Sequence, residues 1–191
     1  SARRTAARKA YDEAAETASA VDVRGAVSML DDTISQMQGS GISSPPRVVK
    51  VFQDLRNKLA GQTAKGEPTS LSDYRSVLSV WREVRDDIDG YFANKQGDVG
   101  ESLKPVRDAL EQALSDSSEG FRTANAQYRQ ASKVIDALKT GVASNRPGTR
   151  ADDLRVKLES WGPEEAAAAR TGYADRLLAQ MESQDPGVNK A

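Results

Sequence analysis

The stretch from Ser70 to Asn94, SLSDYRSVLSVWREVRDDIDGYFAN, carries the longest regular apolar pattern in the chain. Large side chains recur along it at steps of three and four residues, which is the spacing of one helix face. The main row is Leu71, Tyr74, Leu78, Trp81, Arg85, Ile88 and Phe92, and the row beside it is Val77, Val84 and Tyr91. A face of that width needs at least two neighbouring helices to cover it. The pattern therefore predicts a central bundle helix capped by Ser70, with Asp73 near its positive end.

An arginine within this pattern and the two tryptophans of the chain invite a functional interpretation. Arg85 interrupts the main row, and we expect its aliphatic stem to lie on the core while its charged head reaches solvent or a carboxylate. A buried ion pair that sets the helix register is the alternative. Trp81 and Trp161 are interpreted as packing residues rather than as platforms for a ligand.

Composition excludes several classes of site. The 191 residues include no His and no Cys, which excludes thiol nucleophiles, imidazole bases and zinc sites built from those ligands. The formal net charge of −1 indicates no strongly basic nucleic-acid surface. The locally basic N-terminus, at Arg3, Arg4, Arg8 and Lys9, is interpreted as a solvated helix end rather than as a phosphate-binding site. No apolar run approaches the roughly 20 residues of a membrane span.

Helical spacing recurs on both sides of the central stretch, and no alternating strand pattern is visible. The predicted buried faces are Val23, Val27, Leu30, Ile34 and Met37; Val48, Phe52, Leu55 and Leu59; Leu103, Val106, Leu110 and Leu114; Phe121, Ala124, Tyr128, Ala131, Val134, Ile135 and Leu138; Leu154, Leu158 and Trp161; and Tyr173, Leu177, Leu178 and Met181. Ala2–Ala20 is Ala-rich and favours a helix. Because Tyr11 is its one large apolar side chain, we expect this helix to run out from the body.

Capping residues and helix breakers set the predicted boundaries. The predicted helix starts are Asp22, Ser44-Pro45, Asp116 with Glu119 in a capping box, and Thr149 with Asp152. Ala60–Thr69 is predicted to be a polar loop. Pro105 is placed in the first turn of the helix that follows Gly97–Gly100. Gly141 is predicted to close a helix, and Gly172 to let a neighbouring helix approach closely.

These patterns predict an all-α fold, an elongated bundle of about six to seven helices without a sheet. Its expected spine is the pair Ser70–Asn94 and Ser117–Lys139. The predicted organisation is an N-terminal helical extension over residues 1–21, a bundle domain over 22–183 and a disordered tail over 184–191. Since the chain begins without Met and ends in SQDPGVNKA, we expect it to be a piece of a longer polypeptide.

Carboxylates supply the acid–base and metal-binding groups that this composition offers. They cluster at Asp31-Asp32, Asp86-Asp87-Asp89, Asp108/Glu111 and Asp152-Asp153. Adjacent Asp residues on a helix do not converge on one point, and no cluster has the spacing of a calcium-binding loop. They are interpreted as solvated faces and caps. The arginines near apolar stripes, Arg82, Arg85, Arg107 and Arg129, are interpreted as partners in inter-helix salt bridges rather than as the polar lining of a groove. We therefore predict no catalytic, cofactor-binding or metal site, no cofactor, and a protein that is not an enzyme.

The order of five segments carries a family resemblance. They are LDDTI at Leu30–Ile34, SDYRSVLSVWREVRDDID at Ser72–Asp89, LKPVRDALEQAL at Leu103–Leu114, SSEGFRTANAQYRQASKVIDALKTG at Ser117–Gly141 and EEAAAARTGYADRLLAQM at Glu164–Met181. This order resembles a helical segment of large phage and prophage-encoded proteins, similar to internal virion or DNA-ejection proteins. The resemblance extends from about Asp22 to Met181 and supplies no functional residues.

The resemblance implies a non-enzymatic structural or protein-interaction segment of a larger phage- or prophage-encoded protein. We expect protein partners or self-association, and a location in the cytoplasm or the virion, since a chain without Cys needs no oxidising compartment. A cytoplasmic helical adaptor or signalling module is the alternative, and its parent chain would carry a kinase, receiver or receptor output domain. A third hypothesis is an enzyme, or its helical accessory part, that uses carboxylates as acid–base groups.

Overall fold

The computed structural model describes residues 2–39, 46–62, 68–144 and 151–184. Within these ranges the chain forms eight α-helices, a 3-10 turn at Ala14–Glu16 and one pair of short strands, so the predicted all-α fold class is confirmed. The helices are α1 (Ala2–Glu13), α2 (Arg24–Gly39), α3 (Pro46–Leu59), α4 (Tyr74–Ala93), α5 (Gly97–Ser117), α6 (Glu119–Ser144), α7 (Ala151–Ser160) and α8 (Pro163–Gln184).

The chain divides into two compact units, Ser1–Asn125 and Ala126–Ala191. The boundary falls inside α6, whereas the sequence predicted a single bundle over residues 22–183. Three predicted features lie outside the described residues: the start at Ser44-Pro45, the cap at Thr149 and the tail over 185–191.

Helix α4 is the centre of the first unit's core. Its buried residues are Tyr74, Val77, Leu78, Val80, Trp81, Val84 and Ile88, which confirms the predicted double row. The exceptions are Leu71, which precedes the helix, Tyr91, which is half-buried, and Phe92, which is exposed at the end of the helix. The sequence predicted a spine of Ser70–Asn94 paired with Ser117–Lys139, but α4 packs chiefly against α5. The predicted face of α5 is fully buried, as are Val23 just before α2, Leu30 of α2, and Phe52 and Leu59 of α3.

The N-terminal helix belongs to this core. Tyr11 is 3% exposed. Its ring centre lies 5.5 Å from that of Trp81 and 5.1 Å from that of Phe121. The Tyr11 hydroxyl donates to Asn125 Oδ1 at 3.1 Å, and the Tyr74 hydroxyl donates to the Tyr11 carbonyl oxygen at 3.1 Å. The prediction that α1 runs out from the body is therefore wrong, because one aromatic ring with satisfied polar groups anchors it.

The start of α4 differs from the sequence prediction. Asp73 is the N-cap, and its carboxylate accepts from the Ser76 N–H at 2.9 Å and the Ser76 hydroxyl at 2.8 Å. These hydrogen bonds lower the pKa of Asp73. Ser70 lies instead in strand β2 (Pro68–Ser70), which pairs antiparallel with β1 (Ala60–Gln62). The predictions of a polar loop at Ala60–Thr69 and of a fold without any sheet are therefore wrong at the two strands, while residues 63–67 of that loop lie outside the described residues.

The boundary between α5 and α6 also moves. Helix α5 begins at Gly97, so Pro105 lies in its interior rather than in its first turn. A new helix does begin after the predicted break, but its capping residue is Ser118. The backbone of Ser118 is extended, and its hydroxyl accepts from the Phe121 N–H at 3.2 Å. Asp116 lies within α5 and is not the cap.

The second unit brings α6 and α8 together through glycine. A Cβ atom at Gly141 would overlap the carbonyl oxygen of Ala169, and one at Gly172 would overlap that of Leu138. The predicted close approach at Gly172 is confirmed. Gly141 does not close its helix, because α6 continues to Ser144 and uses this glycine as a contact point.

The predicted apolar edge of α8 is wrong. Leu177, Leu178 and Met181 are exposed, and so is Leu138 of α6. The buried positions of α8 are Ala166, Ala169 and Gly172 instead. Small residues at these positions let the two backbones approach, and the large side chains of α8 follow them toward the C-terminal end of the helix.

The aromatic cluster predicts a large stability difference between two phenylalanines. Phe121→Ala removes a fully buried ring, and we expect it to lower the free energy of unfolding by about 3–5 kcal/mol. Phe92→Ala removes a ring that is 43% exposed, and we expect a loss below about 1.5 kcal/mol. Urea denaturation followed by circular dichroism measures both. Equal losses would contradict the assignment of the core.

The glycine contacts predict opposite effects for the same substitution. Gly141→Ala or Gly172→Ala sets a methyl group against a backbone carbonyl, and we expect a cost of about 1–3 kcal/mol. Gly25→Ala in α2 meets no described atom within 4 Å, and we expect it to stabilise the helix by up to about 1 kcal/mol. Differential scanning calorimetry gives the sign of each change. A stabilising Gly172→Ala would contradict the close approach.

Burial of Tyr74 predicts a stability change at alkaline pH. Burial, opposed by the positive charge of Arg82, raises the pKa of Tyr74 from 10.0 to about 12. The unfolded chain therefore loses this proton at a lower pH than the folded one, and the stability present below pH 10 is lost as the pH rises toward 12. We expect Tyr74→Phe to show a shallower loss of unfolding free energy over this window. Parallel profiles for the two proteins would contradict the prediction.

Candidate interaction surfaces

A groove of about 760 Å³ lies along the first unit, between the N-terminal half of α2 and one side of α5. On α5 its lining residues recur at steps of three and four, so they form one stripe. That stripe is Pro105, Asp108, Ala109, Gln112, Ala113, Asp116 and Ser117. Ala109 and Ala113 are partly buried against the core, next to the fully buried row of the same helix. The groove therefore exists because α5 carries small residues beside its core-facing row.

The opposite wall comes from α2 and the segment before it. Met29 is exposed on this wall, and Gly25 leaves it open. The segment is tied to the end of α5, because the N–H and the hydroxyl of Ser19 donate to the Ser117 carbonyl oxygen at 2.9 and 3.1 Å. These bonds hold the two walls of the groove together at one end.

The rim of the groove is acidic. Its carboxylates are Asp22, Asp108 and Asp116, and no Lys or Arg is among the described residues that line it. Asp22 is ion-paired with Arg24, whose side-chain and backbone hydrogen bonds lower the pKa of Asp22 to about 2.

The other two rim carboxylates have partners on α5. Asp108 is ion-paired with Arg107 at 2.6 Å. Asp116 accepts from the neutral amide of Gln112 at 2.8 Å. This bond leaves the negative charge of Asp116 in place, at an exposed position.

A second surface is formed by three exposed apolar side chains of α8, Leu177, Leu178 and Met181. Among the described residues eight large apolar side chains are exposed, and six of them belong to the second unit. They are Leu138, Val142, Val156, Leu177, Leu178 and Met181. Leu177 and Met181 are four residues apart and therefore neighbours on α8. This surface and the groove lie on different units.

The acidic clusters singled out in the sequence are not brought together as a metal site. No group of three or more acidic residues in the described ranges could hold a metal ion. Asp31 is ion-paired with Arg56 at 3.0 Å, and Asp86 and Asp89 are exposed on α4. Burial, followed by the negative charge of Glu83, raises the pKa of Asp87. The side chains of Asp152 and Asp153 lie outside the described residues.

The arginines near apolar stripes have three different outcomes. Arg82 of α4 pairs with Asp12 of α1 at 3.0 Å, which confirms an inter-helix salt bridge. Arg107 pairs with its neighbour on the same helix, so the inter-helix prediction is wrong there. The guanidinium carbon of Arg85 lies 4.7 Å from the ring centre of Trp81. Arg85 is half-buried, and its guanidinium covers the ring by a cation–π contact, a position of the charged head that the sequence did not predict.

Fold and surfaces together define an all-α protein with an acidic-rimmed groove and an apolar surface. Comparison with protein-family models, curated proteins and solved structures found no match. No helix in the described part of the chain is long and apolar enough to cross a membrane. Sequence reasoning missed the groove, although the stripe of Ala109, Ala113 and Asp116 beside the buried row of α5 is a signal that could have located it.

Proposed function

We propose that this chain is a non-enzymatic structural and protein-interaction segment of a larger phage- or prophage-encoded protein. The observation that carries the interaction role is the apolar surface of the second unit. Leu178 is 57% exposed and Met181 is 61% exposed. Clustered apolar side chains in contact with water are typical of protein–protein contact surfaces.

The energetics of burial support this role. Covering one Leu or Met side chain completely contributes about 1.5–3 kcal/mol. Leu177, Leu178 and Met181 therefore offer enough apolar area to contribute to a stable contact. By contrast, the large side chains at the centre of the first unit are already covered by its own helices. In the second unit the buried positions of α8 are Ala and Gly, so its large apolar side chains are not needed to fill the interior of the unit.

The phage or prophage origin is supported by the order of the five resembling segments. A structural segment of such a protein acts in the cytoplasm of the host cell or within the virion. The flanking genes test this origin directly. We expect virion or tail genes beside the parent gene, and a parent gene set among metabolic genes would contradict the proposal.

The interaction role predicts a specific loss of binding. The variant Leu177→Ser, Leu178→Ser, Met181→Ser removes exposed apolar area without opening the core. When the chain is co-expressed with the products of the flanking genes, we expect affinity for the bound partner to fall about tenfold or more. Calorimetric titration measures the affinity, and thermal unfolding checks that the fold is retained.

The same helix provides a matched control. Ala167, Ala174 and Ala179 are exposed positions of α8, and three Ala→Ser substitutions there add the same hydroxyl groups while leaving the large side chains in place. We expect this control to bind like the wild type. Equal loss in both variants, or no loss in either, would contradict the role of the apolar surface.

A further inference from the structure

The groove between α2 and α5 has an apolar floor and an acidic rim, and its shape and charge together specify a class of ligand. We infer that this groove binds a cationic amphipathic helix of a partner protein. The inference rests on the proposed interaction role and adds to it a second surface with a partner of defined chemistry. The groove is lined by residues of the first unit, whereas the residues that carry the proposed function belong to the second.

The dimensions of the groove suit a helix. Its α5 wall extends from Pro105 to Ser117, and at 1.5 Å per residue this is about 18 Å, or roughly three turns of a ligand helix. Ala109 and Ala113 form a shallow floor at helical spacing, into which a row of larger apolar side chains can pack. Gly25 widens the opposite wall, since a Cβ there meets no described atom within 4 Å.

The geometry of the walls favours a helix over an extended peptide. Both long walls of the groove are helices, α2 and α5, and the described strands lie elsewhere, at Ala60–Gln62 and Pro68–Ser70. An extended peptide adds to a sheet edge through backbone hydrogen bonds. Helical walls have their backbone groups already paired internally, so they recognise a ligand through side-chain packing, as in other helix-in-groove contacts.

The charges of the rim select a basic ligand. A helix seated on the apolar floor places its flanking side chains beside Asp108 and Asp116. Lys and Arg at those flanking positions can lay their stems on the apolar surface and direct their charges to the carboxylates. Because Asp108 is already paired with Arg107, the like charge that an acidic helix would meet is chiefly that of Asp116, whose partner is the neutral amide of Gln112. Charge complementarity therefore distinguishes the ligand class, while the apolar floor provides the contact area.

The test uses the full chain and a fluorescent peptide of about 14 residues, roughly four turns, built from Leu and Lys at amphipathic helical spacing. Its partner peptide carries Glu in place of every Lys. We expect the Lys peptide to bind in an anisotropy titration and the Glu peptide not to bind. Failure of the Lys peptide to bind, or equal binding of both peptides, would overturn the inference.

Two variants locate the binding. Asp108→Asn with Asp116→Asn removes two exposed rim charges, and we expect affinity to fall about three- to tenfold. The control Asp54→Asn with Asp89→Asn removes two exposed charges of the same unit outside the groove and changes the net charge equally. We expect it to retain most of the affinity. Equal weakening by both pairs would show general attraction to an acidic protein and would overturn the groove assignment.

A steric variant supplies the second, independent readout. Gly25→Leu places a side chain in the open groove and is expected to abolish binding of the Lys peptide. Gly90→Leu is its control, because Gly90 is also helical and a Cβ there meets no described atom within 4 Å. Unchanged binding by Gly25→Leu overturns the inference. If the Lys peptide does not bind while the serine variant of α8 loses its partner, the proposed interaction role stands and the groove inference is overturned. If the Lys peptide binds in the groove while the serine variant keeps its partner, the role of the α8 surface is overturned and the groove inference stands.

Discussion

The first unit depends on one aromatic cluster, in which Trp81 of α4 meets Tyr11 of α1 and Phe121 of α6. The ring centres lie 5.1–5.5 Å apart, within the range of favourable edge-to-face and tilted contacts. The Trp81 indole N–H is buried without a hydrogen-bond partner among the described residues, which costs desolvation free energy. The packing of the three rings compensates for this cost. Arg85 covers another part of the ring. Three helices that are distant in sequence thereby share one anchor.

Helix α5 has a buried row of large apolar residues and, next to it, a row of smaller residues that lines the groove. Its large apolar row, which includes Leu103 and Leu110, is completely buried and holds the helix against α4. The neighbouring row is built from small and acidic residues, among them Ala109, Ala113 and Asp116. Because the small residues do not fill the space toward α2, a groove stays open beside a well-packed interface. The same helix thus stabilises the fold with one row and presents a recognition surface with the next.

The two units use their large side chains in opposite ways. In the first unit large aromatic and aliphatic residues fill the interior. In the second, Gly141 and Gly172 let α6 and α8 approach until backbone meets backbone. Close contact through glycine leaves less space for large residues between the helices. Leu178 and Met181 remain exposed to solvent. Among the described residues, the second unit therefore has more exposed large apolar side chains than the first.

The sequence by itself determined the all-α class, the buried rows of α2 to α5 and the absence of His and Cys chemistry, because helical periodicity and composition are local properties. Only the tertiary structure decided that Tyr11 is in the core, that Ser118 caps α6 and that Leu178 is exposed. Each of these depends on which distant residue lies opposite. Periodicity identifies an apolar face but not whether a neighbouring helix covers it. A single aromatic ring or a single glycine contact can decide whether such a face is buried or exposed.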